Sequence, residues 1–268
     1  MGKIVWLASY PKSGNTWVRS FLHNYILRPE TPHSINALLE FSVAENAAAF
    51  FGADGKVLDP AQVQRLRPGV HAQLTQLHPD LVFVKTHNAN RAVEGIALCT
   101  PEHTAGAVYI VRDPRDVALS YAAYTGRPVD EIIDFMAHDQ AATASDERQV
   151  FELLSSWSGH VRSWVASPKR LLMRYEDLLV EPERYFARLV RFLGTGTVDE
   201  ARLARAVAFS SFATLAAQEA RDGFESGGRH GPFFRTGQAG QWKTRLTPAQ
   251  AARIAYAHGE IMGKLGYL

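Results

Sequence analysis

Cys99 is the single cysteine in 268 residues, so no disulfide can form within the chain. Such a chain relies on core packing, as proteins of reducing compartments do. Long apolar runs are missing as well, and nothing approaches the ~20 apolar residues of a membrane span. The stretch Ile4–Ala8 is too short for a signal-peptide core and leads at once into Tyr10-Pro11-Lys12. Gly2 invites an N-myristoylation reading, but Trp6 stands where that motif wants Ser or Thr. A cytoplasmic location is therefore expected. Excess charge of one sign is also lacking. With 29 Lys and Arg against 27 Asp and Glu, the net charge of +2 is too small to point to nucleic acid, yet it suits a site for a polyanion. No Pro/Gly/Ser-rich linker and no internal repeat divide the chain. Its 46% hydrophobic and 21% charged residues are ordinary for a globular protein. The length suffices for one large domain, residues 1–268.

Short apolar, β-branched runs at Ile4–Ala8, Leu81–Val84 and Ala107–Val111 read as strands, and Leu171–Arg174 as a fourth. The first three are continuous rather than alternating, the pattern of strands buried on both faces. Helical periodicity marks Thr16–Ile26, Val117–Tyr124, Val150–Val165, Pro182–Phe192 and Pro248–Leu265. Strand, tight loop, helix and strand again predict an α/β domain with a mostly parallel sheet and helices on both faces. Ala213–Gln241 holds six glycines and little periodicity, which reads as a mobile lid over 213–241 rather than an ordinary connection.

Chemistry concentrates at strand ends. Ser9-Tyr10-Pro11-Lys12-Ser13-Gly14-Asn15-Thr16-Trp17 joins the first strand to the first helix. Such a turn offers backbone N–H groups at the positive end of a helix dipole, an anion site. Lys12 adds charge, Ser13, Asn15 and Thr16 add donors, and Trp17 offers a face for a base. The Walker A pattern does not fit, because Lys12 precedes Gly14. At a second junction, Arg112 leaves a strand, Asp113 suits an N-cap, Pro114 the first helical position and Asp116 a capping box. Ser120 follows two turns on. A third strand ends in Lys85-Thr86-His87, and histidine is the usual proton acceptor near neutrality.

The first loop closely resembles the 5′-phosphosulfate loop, Y-P-K-S-G-T-T-W, of sulfotransferases that use 3′-phosphoadenosine 5′-phosphosulfate (PAPS), with Asn15 in place of a threonine. The resemblance implies a P-loop-like fold and sulfuryl transfer from PAPS to a hydroxyl or amine by in-line displacement, with adenosine 3′,5′-bisphosphate as product. It makes His87 the general base, with Lys12 and Lys85 at the sulfuryl group. Lys12, Ser13, Gly14, Asn15, Thr16 and Trp17 would hold the donor, and Arg112 with Ser120 would clamp its 3′-phosphate. Arg235-Thr236-Gly237-Gln238-Ala239-Gly240-Gln241-Trp242-Lys243 resembles the family segment R-K-G-x-x-G-D-W-K, which closes over the nucleotide. Arg235 and Gly237 match there, while Thr236, also placed at the nucleotide, replaces a lysine and Gln241 an aspartate. Tyr175, Ser210 and Phe212 correspond to contacts beside the base. The family dimer motif is broken at Pro248 and Ala252, which leaves the oligomeric state open.

No metal is expected, because a sulfuryl group carries less charge than a terminal phosphoryl group and Asp113 and Asp116 read as caps. The rival reading is a P-loop kinase or other NTP-dependent phosphotransferase, which would need a Walker lysine and a Mg²⁺ carboxylate. The acceptor should be a small molecule or natural product, on a loose likeness to bacterial sulfotransferases acting on glycopeptides. Its contacts should come from Thr31–Pro79, Tyr121–Asp146 and Ala213–Phe234.

Overall fold

The computed structural model describes residues 2–53, 55–194, 196–225, 227 and 230–268. The first half runs β1 (Lys3–Ser9), α1 (Asn15–Leu27), α2 (Leu38–Phe41), β2 (Ser42–Ala44), α3 (Pro60–Leu74) and β3 (Leu81–Thr86). A small hairpin, β4 (Ala92–Val93) and β5 (Ile96–Ala97), precedes β6 (Thr104–Val111), α4 (Pro114–Thr125) and α5 (Val129–Ala137). Then come α6 (Trp157–Val165), β7 (Arg170–Arg174), α7 (Tyr175–Val180), α8 (Pro182–Phe192) and α9 (Glu200–Phe209). The chain finishes with α10 (Phe212–Asp222), α11 (Trp242–Arg245) and α12 (Pro248–Lys264).

Five strands form one sheet in the order β2-β3-β1-β6-β7, and every neighbouring pair is parallel. Along β1, Ile4, Trp6 and Ala8 enter one core while Val5 and Leu7 enter the other. The unbroken apolar sequence is thus a period-two strand with both faces covered. α3, α4, α5, α6 and α12 cover the first face, and α1, α8 and α9 the second, where Phe21 stacks on Phe186 at 3.8 Å. Because β1 is flanked by β3 on one side and β6 on the other, the sheet changes direction at its carboxyl end, where α/β sheets open a ligand crevice.

Three expectations change. The helix read over Val150–Val165 begins only at Trp157, capped by Ser156, which accepts from Gly159 N. Residues 150–154 form no helix because their backbone bonds reach across: Val150 N donates to Asn46 O, and Leu153 N to the Asn88 side chain. The glycine-rich stretch read as a lid over 213–241 starts as helix α10, capped by Ser211 and seated on Leu215 and Gln218. Only residues beyond Asp222 are irregular, and 226, 228 and 229 lie outside the described residues. The proposed acceptor loops likewise contain α2, α3 and α5. Among the described residues no helix is long and apolar enough to cross a membrane.

Candidate active site

The phosphate loop leaves β1 in a constrained shape. Lys12 has φ +67° and Gly14 φ +105°, two left-handed positions within three residues, and the former is unusual for a lysine. Gly14 is required twice over, since a Cβ there would stand 2.8 Å from the Tyr175 ring. No side chain caps α1, so its first-turn N–H groups stay available for an anion. Ser13 Oγ is buried with no hydrogen-bond partner among the described residues, as is Arg112 Nε. Asn15 behaves differently from the free donor expected of it. Its amide donates to Leu7 O (2.9 Å) and Ser9 Oγ (3.3 Å), bracing the loop from within. Thr16 is half-buried on the same turn. Trp17 packs edge to face against Tyr175 and Phe186 at 5.9 and 5.7 Å.

Arg112 links three segments. Its guanidinium donates to Lys12 O (3.3 Å) and Gln238 O (2.9 Å) and lies 4.4 Å from the Tyr175 ring centre. Asp113 caps α4 as expected, accepting from Arg115 N. Asp116 makes no capping box, because Asp113 N donates to Glu176 instead. The Asp116 carboxylate accepts from Gly240 N (2.6 Å) and Trp242 N (3.0 Å), so it fastens the C-terminal segment to α4. Arg115 stacks 3.6 Å from the Trp242 ring and donates to Tyr267 O, locking the chain end onto the same corner. In that segment Gly237 (φ +60°) lies so close to Phe212 that a Cβ would come within 2.4 Å of the ring. Thr236 accepts from Gln241, and Ser120 sits half-buried on α4. Ser210 stands apart: fully buried, it donates back to Ala206 O in its own helix.

His87 lies where β3 meets β1. Its Nδ1 is 2.7 Å from Ser9 O, and a carbonyl can only accept, so Nδ1 carries the proton and Nε2 the lone pair. Burial, followed by the Lys85 charge, holds the imidazole down at about 4, so it is neutral across the physiological range. Behind it stands a residue that motif reading passes over. Glu152 accepts from Lys85 Nζ (3.2 Å), Asn46 Nδ2 (3.0 Å) and His87 N (2.5 Å), fixing the whole Lys-Thr-His turn. The available signal is a lone acid inside Val150-Phe151-Glu152-Leu153-Leu154, since such residues are buried only when paired.

Lys12 has a different setting. Its ammonium lies 3.4 Å from the Phe233 ring centre and 4.5 Å from that of Tyr124. Burial, then the charges of Arg235 and Arg112, lower it to about 7, with Glu219 opposing. Arg235 is itself lowered by burial, Arg245 and Arg112. These cations stand within electrostatic reach of one another, so the site favours an incoming anion.

The sulfotransferase domain family matches this chain over residues 3–266. Sulfotransferase 1B1 of Canis lupus familiaris is 27% identical, over 91% of this chain and 78% of that protein. Cytosolic sulfotransferase 16 of Arabidopsis thaliana is 25% identical, over 92% and 72% respectively. In fold, the chain is similar to a mouse sulfotransferase, SULT7A1, solved in complex with PAP, with TM-score 0.61 and 20% identity over 97% of this chain and 84% of that one. A match across nearly the whole chain, on a parallel sheet whose strand ends carry the Lys12–Trp17 loop, Arg112 and the Lys85–His87 turn, makes this chain a member of the PAPS-dependent sulfotransferase family.

Proposed function

We propose that the chain transfers the sulfuryl group of PAPS to a hydroxyl or amine of a small-molecule acceptor in the cytoplasm, with His87 as general base. The orphaned Ser13 Oγ and Arg112 Nε, the uncapped start of α1 and the clustered cations fit a donor with two phosphate groups. PAPS supplies the sulfuryl group and a leaving phosphate. Lys12, the loop amides and Thr16 would hold the 5′ side, Arg112, Ser120, Arg235 and Gly237 the 3′-phosphate, and Tyr175, Trp17 and Phe212 the base. As the acceptor O–S bond forms and the S–O bond to the 5′-phosphate breaks, the acceptor proton passes to His87 Nε2. Lys12 and the loop N–H groups meet the charge left on the phosphate oxygen, an electrostatic contribution that is often large. Lys85, held by Glu152, faces the transferring group. The irregular part of the 213–241 stretch would close over the nucleotide.

The observation that carries this reading is the fixed tautomer of His87, a neutral imidazole held against the end of β1 and beside the Lys85 charge. The test is transfer of labelled sulfur from PAPS across a panel of phenols, alcohols, sugars and amines. His87→Ala should lower turnover by about 10²–10⁴ while donor affinity and melting temperature hold. A folded variant with near-normal turnover would remove His87 from the mechanism.

A further inference from the structure

A cavity of about 470 Å³ opens between the end of α4, the turn into α5 and the segment leading to α11. That volume lies in the range of small-molecule sites. Arg127, His230, Arg235 and Arg245 line it, and among the described residues no carboxylate does. Arg127 is already engaged, donating to Glu131 Oε2 at 3.1 Å. Arg235 and Arg245 make no ion pair among the described residues, and each raises the local positive potential at the other. Two like charges facing one cavity repel unless an anion joins them.

Arg245 is held in place from behind. Its helix α11 begins at Trp242, whose N–H donates to Asp116 and whose ring lies against Arg115. The same carboxylate binds Gly240 N, so the backbone on either side of Gln241 is pinned to the start of α4. Leu119 and Ala123, the sequence neighbour of Ser120 and the residue one turn later, line the opposite wall. The cavity is thus walled on its α4 side by chain neighbours of Ser120, the Arg235–Arg245 pair lines it as well, and the Arg112 charge reaches Arg235. A nucleoside bisphosphate presents two separate anions, and Lys12 with its loop accounts for only one.

We propose that Arg245 is a specificity-determining residue for the donor, gripping the 3′-phosphate together with Arg235 from across this cavity. The proposal rests on the PAPS reading above and adds to it a residue outside every motif that led there. Arg245 makes the chain selective for a 3′-phosphorylated nucleotide and contributes nothing to binding of the 5′ group.

Calorimetry with adenosine 3′,5′-bisphosphate and with AMP, on wild type, Arg245→Ala and Arg245→Lys, tests this. For Arg245→Ala, affinity for the bisphosphate should fall by about 5- to 30-fold, while AMP affinity changes by less than about 2-fold. Arg245→Lys should recover part of the loss, since charge without the planar fork serves a phosphate less well. Melting curves establish that each variant is folded. Parallel loss of both ligands would make Arg245 a brace for the segment and overturn the proposal, as would unchanged bisphosphate affinity. A wild type that binds bisphosphate no better than AMP would overturn the donor assignment itself and this inference with it. The two failures are thus separable.

Discussion

The ends of β1 and β3 each bring a lysine to the same edge of the sheet, and the surrounding residues treat the two in opposite ways. Lys85 has a resident counterion, the Glu152 carboxylate at 3.2 Å, within a network that also binds the His87 backbone. Lys12 has aromatic rings against its ammonium and arginines nearby, and it is lowered to about 7. One charge is permanently installed by the fold. The other is incomplete until an anion arrives. That division suits a reaction in which one lysine and the base must be in register beforehand, while the other responds to charge on the leaving phosphate.

The largest effect should come from removing the resident counterion. Glu152→Ala leaves Lys85 without its partner and the His87 N–H without its acceptor, at a site where the two side chains are 2% and 15% exposed. Breaking a buried pair on one side costs about 3–5 kcal/mol. A clear drop in the urea midpoint and a turnover loss of more than about 10²-fold are expected, because Lys85 and His87 lose their common anchor. Glu152→Gln should retain more stability than Glu152→Ala, since it still accepts from the His87 N–H. A Glu152→Ala protein with unchanged midpoint and turnover would erase the distinction between the two lysines.

The same contrast explains what the sequence disclosed. The positions of Lys12, Gly14 and Arg112 at strand ends could be read because they depend on local features: a strand, a tight turn and a helix start, each contiguous in the chain. Proline and aspartate at 113–114 announced α4 in the same way. Glu152 could not, because its partners Asn46, Lys85 and His87 lie 65 to 106 residues away, and the non-helical path of 150–154 that brings it there is set by tertiary bonds rather than periodicity. Asp116 misled for the same reason, since a capping pattern is local but its actual partners, Gly240 and Trp242, are not. Helix α10 was hidden by the glycines that follow it, although Ser211 and Leu215 mark its start and its buried face.

A smaller effect should appear in the protons that accompany donor binding. Lys12 sits at about 7 in the free protein, and a bound phosphate beside it raises that value. A group raised on binding contributes its full share below the free value and loses it as pH climbs toward the bound value. Donor affinity should thus weaken as pH rises above about 7. Calorimetry at pH 8 in buffers of different ionisation enthalpy should show uptake of close to one proton, and Lys12→Met should abolish it. Uptake that persists in Lys12→Met would assign the proton elsewhere and deprive Lys12 of its distinct role.

The smallest effect concerns the ring that covers Lys12. Phe233 lies 3.4 Å from the ammonium, and its backbone N–H, with that of Phe234, is held by the Glu219 carboxylate at 2.6 and 2.8 Å. A cation over a phenyl face gains about 0.5–2 kcal/mol, more when water is excluded. That contact occupies the lysine assigned to the leaving phosphate, so the donor has to displace it. Phe233→Ala removes the competitor, and affinity for adenosine 3′,5′-bisphosphate should rise by about 2- to 8-fold, the factor that corresponds to the lower half of that range. Burial of Lys12 would ease at the same time, so proton uptake at pH 8 should shrink along with the gain in affinity. Glu219→Gln should raise affinity less, because it loosens the loop without removing the ring, and its proton uptake at pH 8 should not shrink, since the Glu219 charge is what opposes the lowering of Lys12. If Phe233→Ala weakened donor binding instead, the ring would belong to the closed, ligand-bound arrangement, and Lys12 would have an aromatic partner in both states in place of a contact that gives way.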